Sequence, residues 1–413
     1  MACVVKYGKP LLFITVTCNP EWPEIKAALG PNDQACNRPE LIARAFESKL
    51  NRLCDDDIFG NKQRAGSPTS SLFHARTRRK FSAADDESHS GHCLAFSRFV
   101  RAPHLAEQIA AAAQAGFQHI ELFDDDWAAS RDSWSEAQGL SKSTRDGDST
   151  SQFAAAALAD LVRSYGLRIS CWQPLRTFEG YVDAEDRRKS REFARGILDI
   201  LPILGTRLLL CCTTTTPAPA TTGDLHRCAE DLVWLADEAA KCDPPVRVMY
   251  EGLSFAAHRR SWQSAWEVVE NANRPNLGLC LDSFNTLALE WADPYSSTGR
   301  LSPDVDEKLQ ANMRELVQRV PGHKIFFYQV ADGRFMSPPM TPPTDPSIPP
   351  IRPWSRRNRL FPFENELGAY LPVSAFSDAV VQTGYDGPWS LESLTNPSRA
   401  MIPMSLSSMQ GGR

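Results

Sequence analysis

Basic charge is not in excess in this chain: 45 Lys and Arg stand against 50 Asp and Glu over 413 residues, a net charge of −5. A general nucleic-acid binder carries the opposite balance. Long apolar runs are missing as well. The longest are of the kind LLFITV (11–16) and LLLCC (208–212), whereas a membrane span needs about 20 residues, so no membrane helix is expected. The first twenty residues place Lys6 and Lys9 inside too short an apolar stretch for a secretory signal. The eleven cysteines form no C-x-x-C pair and no ligand-like spacing, which reads as reduced thiols in a cytoplasmic protein. No G-x-G-x-x-G follows an early strand, which speaks against a dinucleotide fold. What is present, 42% hydrophobic and 23% charged residues, is the make-up of a globular protein and excludes chain-wide disorder and fibres.

Composition divides the chain. Residues 1–60 hold a strand-like run from Leu11 to Thr17 and a helical stretch from Pro39 to Leu53. Residues 61–91, rich in Ser, Arg, Gly and Asp, read as a flexible linker. Their run Arg76, Arg78, Arg79, Lys80 could form a nucleic-acid or nuclear-import patch, but such runs in linkers are usually solvated. Residues 92–397 alternate short aliphatic runs with amphipathic, Ala-rich stretches. Strands are predicted at 93–99, 117–123, 167–173, 206–212, 246–251, 277–282, 324–330 and 387–393, with helices at 103–115, 151–165, 185–203, 224–242, 260–272, 303–319 and 374–384. Parallel neighbours need crossovers of this length, so the pattern implies an α/β fold, and eight units fit a closed (β/α)₈ TIM barrel better than an open sheet. An insertion at 333–372, with eight prolines in 338–353, is expected over the catalytic end. Residues 398–413 read as a tail.

Catalytic groups of such barrels come from the C-terminal ends of the strands. The fifth to eighth predicted strands end in or near Glu251, Asp282, Gln329 and Glu392. Four oxygen donors from adjacent strands make a ligand set for a hard divalent ion such as Mg²⁺ or Mn²⁺, and three carboxylates would repel without a cation. Any one of them alone would more simply cap a helix or pair with an Arg. His258, in the loop after the fifth strand, could transfer protons near neutral pH, although loop histidines are more often solvated. Arg176, and the cluster Arg356, Arg357 and Arg359 in the insertion, could grip a substrate carboxylate. Asn285 could reach the same pocket as a neutral donor or serve in capping the next helix.

The segments YEGLSFAAHRRSWQSAWEVV, RPNLGLCLDSFNTLALEWADP, FYQVADGRFMSPP, WSRRNRLFPFE and GYDGPWSLES resemble the fungal 3-dehydroshikimate dehydratases of the xylose-isomerase-like (sugar phosphate isomerase/epimerase-like) superfamily, over about 93–397. The resemblance implies metal ligation by Glu251, Asp282, Gln329 and Glu392, with Mg²⁺, Mn²⁺ or Co²⁺ as the cofactor. It also implies catalytic or substrate-binding roles for His258, Arg176, Arg356 and Asn285. The implied activity is conversion of 3-dehydroshikimate to protocatechuate in quinate and shikimate catabolism. Sugar or hydroxy-acid isomerisation or epimerisation on the same barrel, or a catalytically impaired paralogue, stand as alternatives. Departures from the family pattern are Phe255 for Trp, Arg357-Asn358 for Asn-Cys, Gly333-Arg334 for Ala-Glu, and Ser393-Leu394 for Leu-Phe; relatives outside the fungal branch often have His at the position of Asn285. Residues 7–60 resemble a fragment of the helicase-like N-terminal domain of Helitron transposons. That domain's His-hydrophobic-His motif and nicking tyrosines have no counterpart, which implies a remnant or gene fusion without DNA-nicking activity.

Overall fold

A computed structural model describes residues 12–16, 94–97, 103–114, 117–139, 147–362 and 364–395. Eight strands run parallel in chain order: β2 (Leu94–Ser97), β3 (His119–Phe123), β4 (Arg168–Leu175), β5 (Leu208–Cys212), β6 (Arg247–Glu251), β7 (Leu277–Asp282), β8 (Ile325–Val330) and β11 (Trp389–Thr395). The expected α/β barrel is therefore present. Its helices are α1 (Pro103–Gln114), α2 (Asp124–Ala137), α3 (Ser149–Ser164), α4 (Ala184–Leu204), α5 (Leu225–Ala239), α6 (Trp262–Ala272), α7 (Ser283–Glu290), α8 (Val305–Arg319), α9 (Ile351–Ser355) and α10 (Val373–Gln382). Local chemistry sets several boundaries. Asp183 accepts from the backbone of Glu185 and Asp186 to start α4, and Gly205, at φ 76°, ends it in the left-handed region. Ser261 and Ser264 cap each other's backbone at the start of α6.

Strand alternation separates two cores. Leu209, Cys211, Val248, Tyr250, Leu279, Leu281 and Tyr328 pack outwards on the helices, while Leu210, Met249, Cys280 and Phe327 fill the interior. Each such large side chain contributes roughly 1.5–3 kcal/mol by burial. The next inward position along each interior strand is Cys212, Glu251, Asp282 and Gln329 respectively, so the same alternation that fills the barrel delivers polar groups to its mouth.

Two features differ from the sequence expectation. First, 1–60 reads as a block set apart behind a linker, yet one of its strands, β1 (Leu12–Val16), lies in the barrel wall. It pairs antiparallel with β2 on one side and β11 on the other. A run of alternating and β-branched residues fits a sheet wherever two edges are open, and composition carries no information about its partner. The linker 61–91, with its basic run, the rest of 1–60 and the tail 398–413 lie outside the described residues. Deleting residues 1–90 takes one strand from the wall and leaves all eight parallel ones. The truncated chain is expected to remain a folded barrel that melts several degrees below the full chain in calorimetry. Equal melting temperatures would mean that β1 adds nothing to the closed sheet.

Second, the insertion at 333–372 is not a bare loop. Strand β10 (Asn358–Leu360) pairs antiparallel with both β9 (Asp332–Gly333) and β11, and α9 precedes it. Trp354 anchors this arm. It is fully buried, its ring lies 4.7 Å from Phe284, and its indole N–H donates to the Arg334 carbonyl at 3.0 Å.

Candidate active site

Glu251 closes β6 and Asp282 closes β7, level with Gln329 on β8, while Glu392 stands two residues beyond Ser390, the residue that pairs with Gln329. All four are buried. Asn285 joins the first two: its Nδ2 donates to Glu251 Oε1 and to Asp282 Oδ2, both at 2.8 Å, while its Oδ1 accepts from the Ser254 N–H and hydroxyl. Asp282 caps α7 through Oδ1, which accepts the Asn285 backbone N–H at 3.0 Å. The cap is thus Asp282, and the Asn285 side chain is a bridge between carboxylates. Arg359, from β10, joins the second and third: its Nη1 donates to Asp282 Oδ2 at 2.7 Å and to Glu392 Oε2. The guanidinium lies 4.5 Å over the Phe284 ring, so the aromatic that packs on Trp354 also seats Arg359.

One guanidinium among three carboxylates leaves negative charge in excess. Burial pushes the Glu251 carboxyl well above its ordinary value, with Asp282 and Glu392 adding to the rise and Arg359 opposing it. Burial also carries Glu392 to about 7 despite Arg359. Burial alone would lower the Arg359 value, but Asp282, Glu392 and Glu251 together hold it above normal. Among the described residues no three acid, thiol or imidazole groups stand at coordination spacing, and Arg359 Nη1 sits between Asp282 and Glu392. The donor set nevertheless fits a hard divalent ion in both chemistry and charge: two positive charges balance what Arg359 leaves over.

Beside these groups lies a cavity of about 170 Å³, lined among others by Phe123, Gln173, Arg176, Cys212, Glu251, Phe255, Gln329, Arg352, Ser355, Arg356, Arg359 and Glu392. Arg352 lies in α9 and Arg356 at its C-terminal turn, which brings two cationic side chains into the lining, Arg356 near enough to Glu392 to favour its ionised form. Arg357 is exposed and outside the lining. Arg176 lines the cavity but pairs with Asp124, with Asp125 at 3.6 Å, so part of its charge is already met. His258 is not in the lining. Its Nε2 lies 3.0 Å from Thr221 Oγ1 and its Cβ packs against Gly223, so the structure does not bring it together with the four strand-end residues. Counting residues past a strand end does not tell which way a loop turns. Sequence reasoning missed Cys212, whose thiol sits 3.2 Å from Glu251 Oε2, and Glu121, buried on β3. The inward parity of Cys212, two residues past Leu210, was the available signal for it.

The family described as xylose isomerase-like TIM barrel matches residues 109–408, and the Helitron helicase-like domain at N-terminus matches residues 1–73. The chain is 33% identical to the 3-dehydroshikimate dehydratase of Neurospora crassa over 297 residues, covering 70% of this chain and 80% of that protein. A solved xylose isomerase-like TIM barrel/4-hydroxyphenylpyruvate dioxygenase fusion protein is 28% identical with a TM-score of 0.52, covering 72% of this chain but only 38% of the fusion. The IOLI protein, solved with a binding zinc atom, shares the fold at 18% identity and a TM-score of 0.50, covering 71% of this chain and 84% of that one.

Proposed function

The chain belongs to the xylose isomerase-like TIM barrel family, and on that premise we propose that it dehydrates 3-dehydroshikimate to protocatechuate with a bound divalent cation, as a cytoplasmic hydro-lyase of quinate and shikimate catabolism. The observation that carries the reading is the junction of Glu251, Asp282 and Glu392 through Arg359 and Asn285, beside a cavity that Arg352 and Arg356 also line. The acids suit a cation, and the arginines suit an anionic substrate. The named activity of the Neurospora relative supplies the substrate, and the zinc of the IOLI protein supports the use of a metal on this barrel.

Glu251, Asp282, Gln329 and Glu392 would hold the cation, which as a Lewis acid favours loss of the proton α to a ketone. Asn285 fixes the facing oxygens of Glu251 and Asp282 in place. Arg356 and Arg352 grip the ring carboxylate, a demand that a neutral sugar substrate would not make. Phe123 and Phe255 keep water from the ring. His258, turned to Thr221, has no part in this scheme. Its replacement by Gln is expected to change kcat/KM by less than about tenfold, the low end for a general acid or base being about a hundredfold. A larger fall would return it to the chemistry.

The direct test is spectrophotometric: chelator-stripped protein is offered 3-dehydroshikimate with and without Mn²⁺, and protocatechuate is followed. No product in either case sinks the proposal, and turnover of a neutral ketose instead favours an isomerase. Arg356→Ala is expected to lower kcat/KM for 3-dehydroshikimate by one to two orders of magnitude, because a charge-assisted bond contributes roughly 1.5–3 kcal/mol, at about 1.4 kcal/mol per tenfold. An unchanged constant would remove Arg356 from the site.

A further inference from the structure

Glu121 has no place in the scheme above, yet it is among the most buried charged groups, 1% exposed, and it bonds to Gln173, which lines the same cavity. It sits on β3 level with Cys171 of β4, two residues before Phe123, which is level with Gln173. Its Oε1 accepts from the Ser390 hydroxyl and its Oε2 from Gln173 Nε2. Gln173 Oε1 in turn accepts from Gln329 Nε2 at 3.4 Å. The remaining face of the Gln329 amide, Oε1, has the Cys280 thiol at 3.6 Å and borders the cavity.

The chain of donors and acceptors runs in one direction, and its direction is set at Glu121. A side-chain amide is nearly symmetric in shape, so nothing in packing tells a glutamine which end to present. A carboxylate breaks the symmetry because it accepts only. Gln173 must therefore turn its NH₂ to Glu121, which leaves its carbonyl for Gln329. Gln329 must answer with its own NH₂, and its carbonyl is left to the Cys280 thiol and the cavity that Gln329 lines together with Glu251 and Glu392. Burial pushes the Glu121 carboxyl up to about 8, and with its proton on Oε1, towards the Ser390 hydroxyl, Oε2 still accepts from Gln173.

We propose that Glu121 is a positioning residue which, through Gln173, fixes the amide of Gln329 so that an oxygen rather than an NH₂ group is offered to a divalent cation at the strand ends. The proposal rests on the metal site proposed above. A flipped Gln329 would present two hydrogens to a cation and would be no ligand at all. Groups that orient a ligand from behind typically alter metal affinity by about 10–100-fold.

The test uses full-length protein stripped by chelator, with Mn²⁺ affinity read by calorimetry and by the electron-spin-resonance signal of free Mn²⁺. Four proteins are compared: the unsubstituted chain, Glu121→Gln, Gln329→Glu and the double variant. An amide at 121 can turn either face, so Glu121→Gln is expected to weaken Mn²⁺ binding about tenfold or more. A carboxylate at 329 offers oxygen whichever way it turns. The double variant is therefore expected to bind within about twofold of Gln329→Glu, the two substitutions being non-additive through one relay. Equal affinity of the unsubstituted chain and Glu121→Gln would overturn the relay while leaving the metal site standing, as would an equal loss in both backgrounds. Absence of Mn²⁺ binding by the unsubstituted chain would remove the metal site and the relay with it. If circular dichroism shows Glu121→Gln to be unfolded, Gln173→Leu cuts the same relay one step later. A tenfold loss is expected there too, and unchanged affinity overturns the proposal.

Discussion

An Arg359→Ala protein is expected to lose about 3–5 kcal/mol of stability at neutral pH in the absence of divalent ions, the usual cost of leaving buried charge without its partner. Arg359 is buried and donates to both Asp282 and Glu392, so its removal leaves three carboxylates facing one another with only the Asn285 amide between two of them. The loss should depend on pH in a definite direction. Glu392, at about 7, and Glu251, well above its ordinary value, already hold protons more tightly in the folded chain than in the unfolded one. Such groups contribute stability that is present at low pH and fades as the pH rises through the folded-state value. Without Arg359 both values move further up, so denaturant midpoints of the variant should climb steeply from pH 8 towards pH 5, more than those of the unsubstituted protein. Added Mn²⁺ should restore stability at pH 8. A variant as stable as its parent at pH 8 without metal would mean that the three acids do not share one electrostatic environment.

Trp354→Ala is expected to cost about 3–5 kcal/mol, the range for emptying a large aromatic site in a well-packed region. The indole fills the space between Phe284, Tyr370 and Gly333, and a Cβ added at Gly333 would already stand 2.5 Å from its ring. The consequence reaches the cavity because Ser355, Arg356 and Arg359 follow on the same arm, and Phe284 carries the Arg359 guanidinium on its face. kcat/KM for 3-dehydroshikimate should fall at least as far as in Arg356→Ala, with KM rising, while secondary structure measured by circular dichroism changes little. Full activity in a destabilised Trp354→Ala protein would show that the arm needs no anchor to place its arginines.

The barrel was legible because eight aliphatic runs, each followed by an amphipathic stretch, admit few arrangements. Residues such as Glu251 and Asp282 stood out as single acids ending apolar strands. Other features were hidden for physical reasons. Glu121 lies inside the run His119–Phe123, where one acid among Ile, Leu and Phe reads equally well as an outward-facing residue; only Ser390 and Gln173, from distant parts of the chain, make it an interior one. Helix α2 begins with three aspartates and has a weak apolar face, so the stretch resembles a loop until those acids are seen in its first turn, where the helix dipole favours them. Arg359 joins Asp282 to Glu392, but it sits two residues from an equally basic neighbour. Only its place on β10, paired with β9 and β11, turns it inwards.

At the end of β7 the chain passes from strand to helix without a single intervening residue, Asp282 closing one and Ser283 opening the other. The end of β3 passes into α2 in the same way, from Phe123 to Asp124, but other connections at this end of the barrel run long: a dozen residues separate β5 from α5, and the whole proline-rich arm follows β8. The corner at Asp282 therefore has no slack. An inserted residue there would rotate the start of α7 by about 100°, at 3.6 residues per turn, and carry Asn285 away from both carboxylates. The longer connections can absorb insertions with only local change. In a lineage that lengthens or trims its loops, the shape of the substrate pocket is thus free to drift while the acid corner is held fixed by geometry, and new specificities on this scaffold should arise from the arm and the β5 connection.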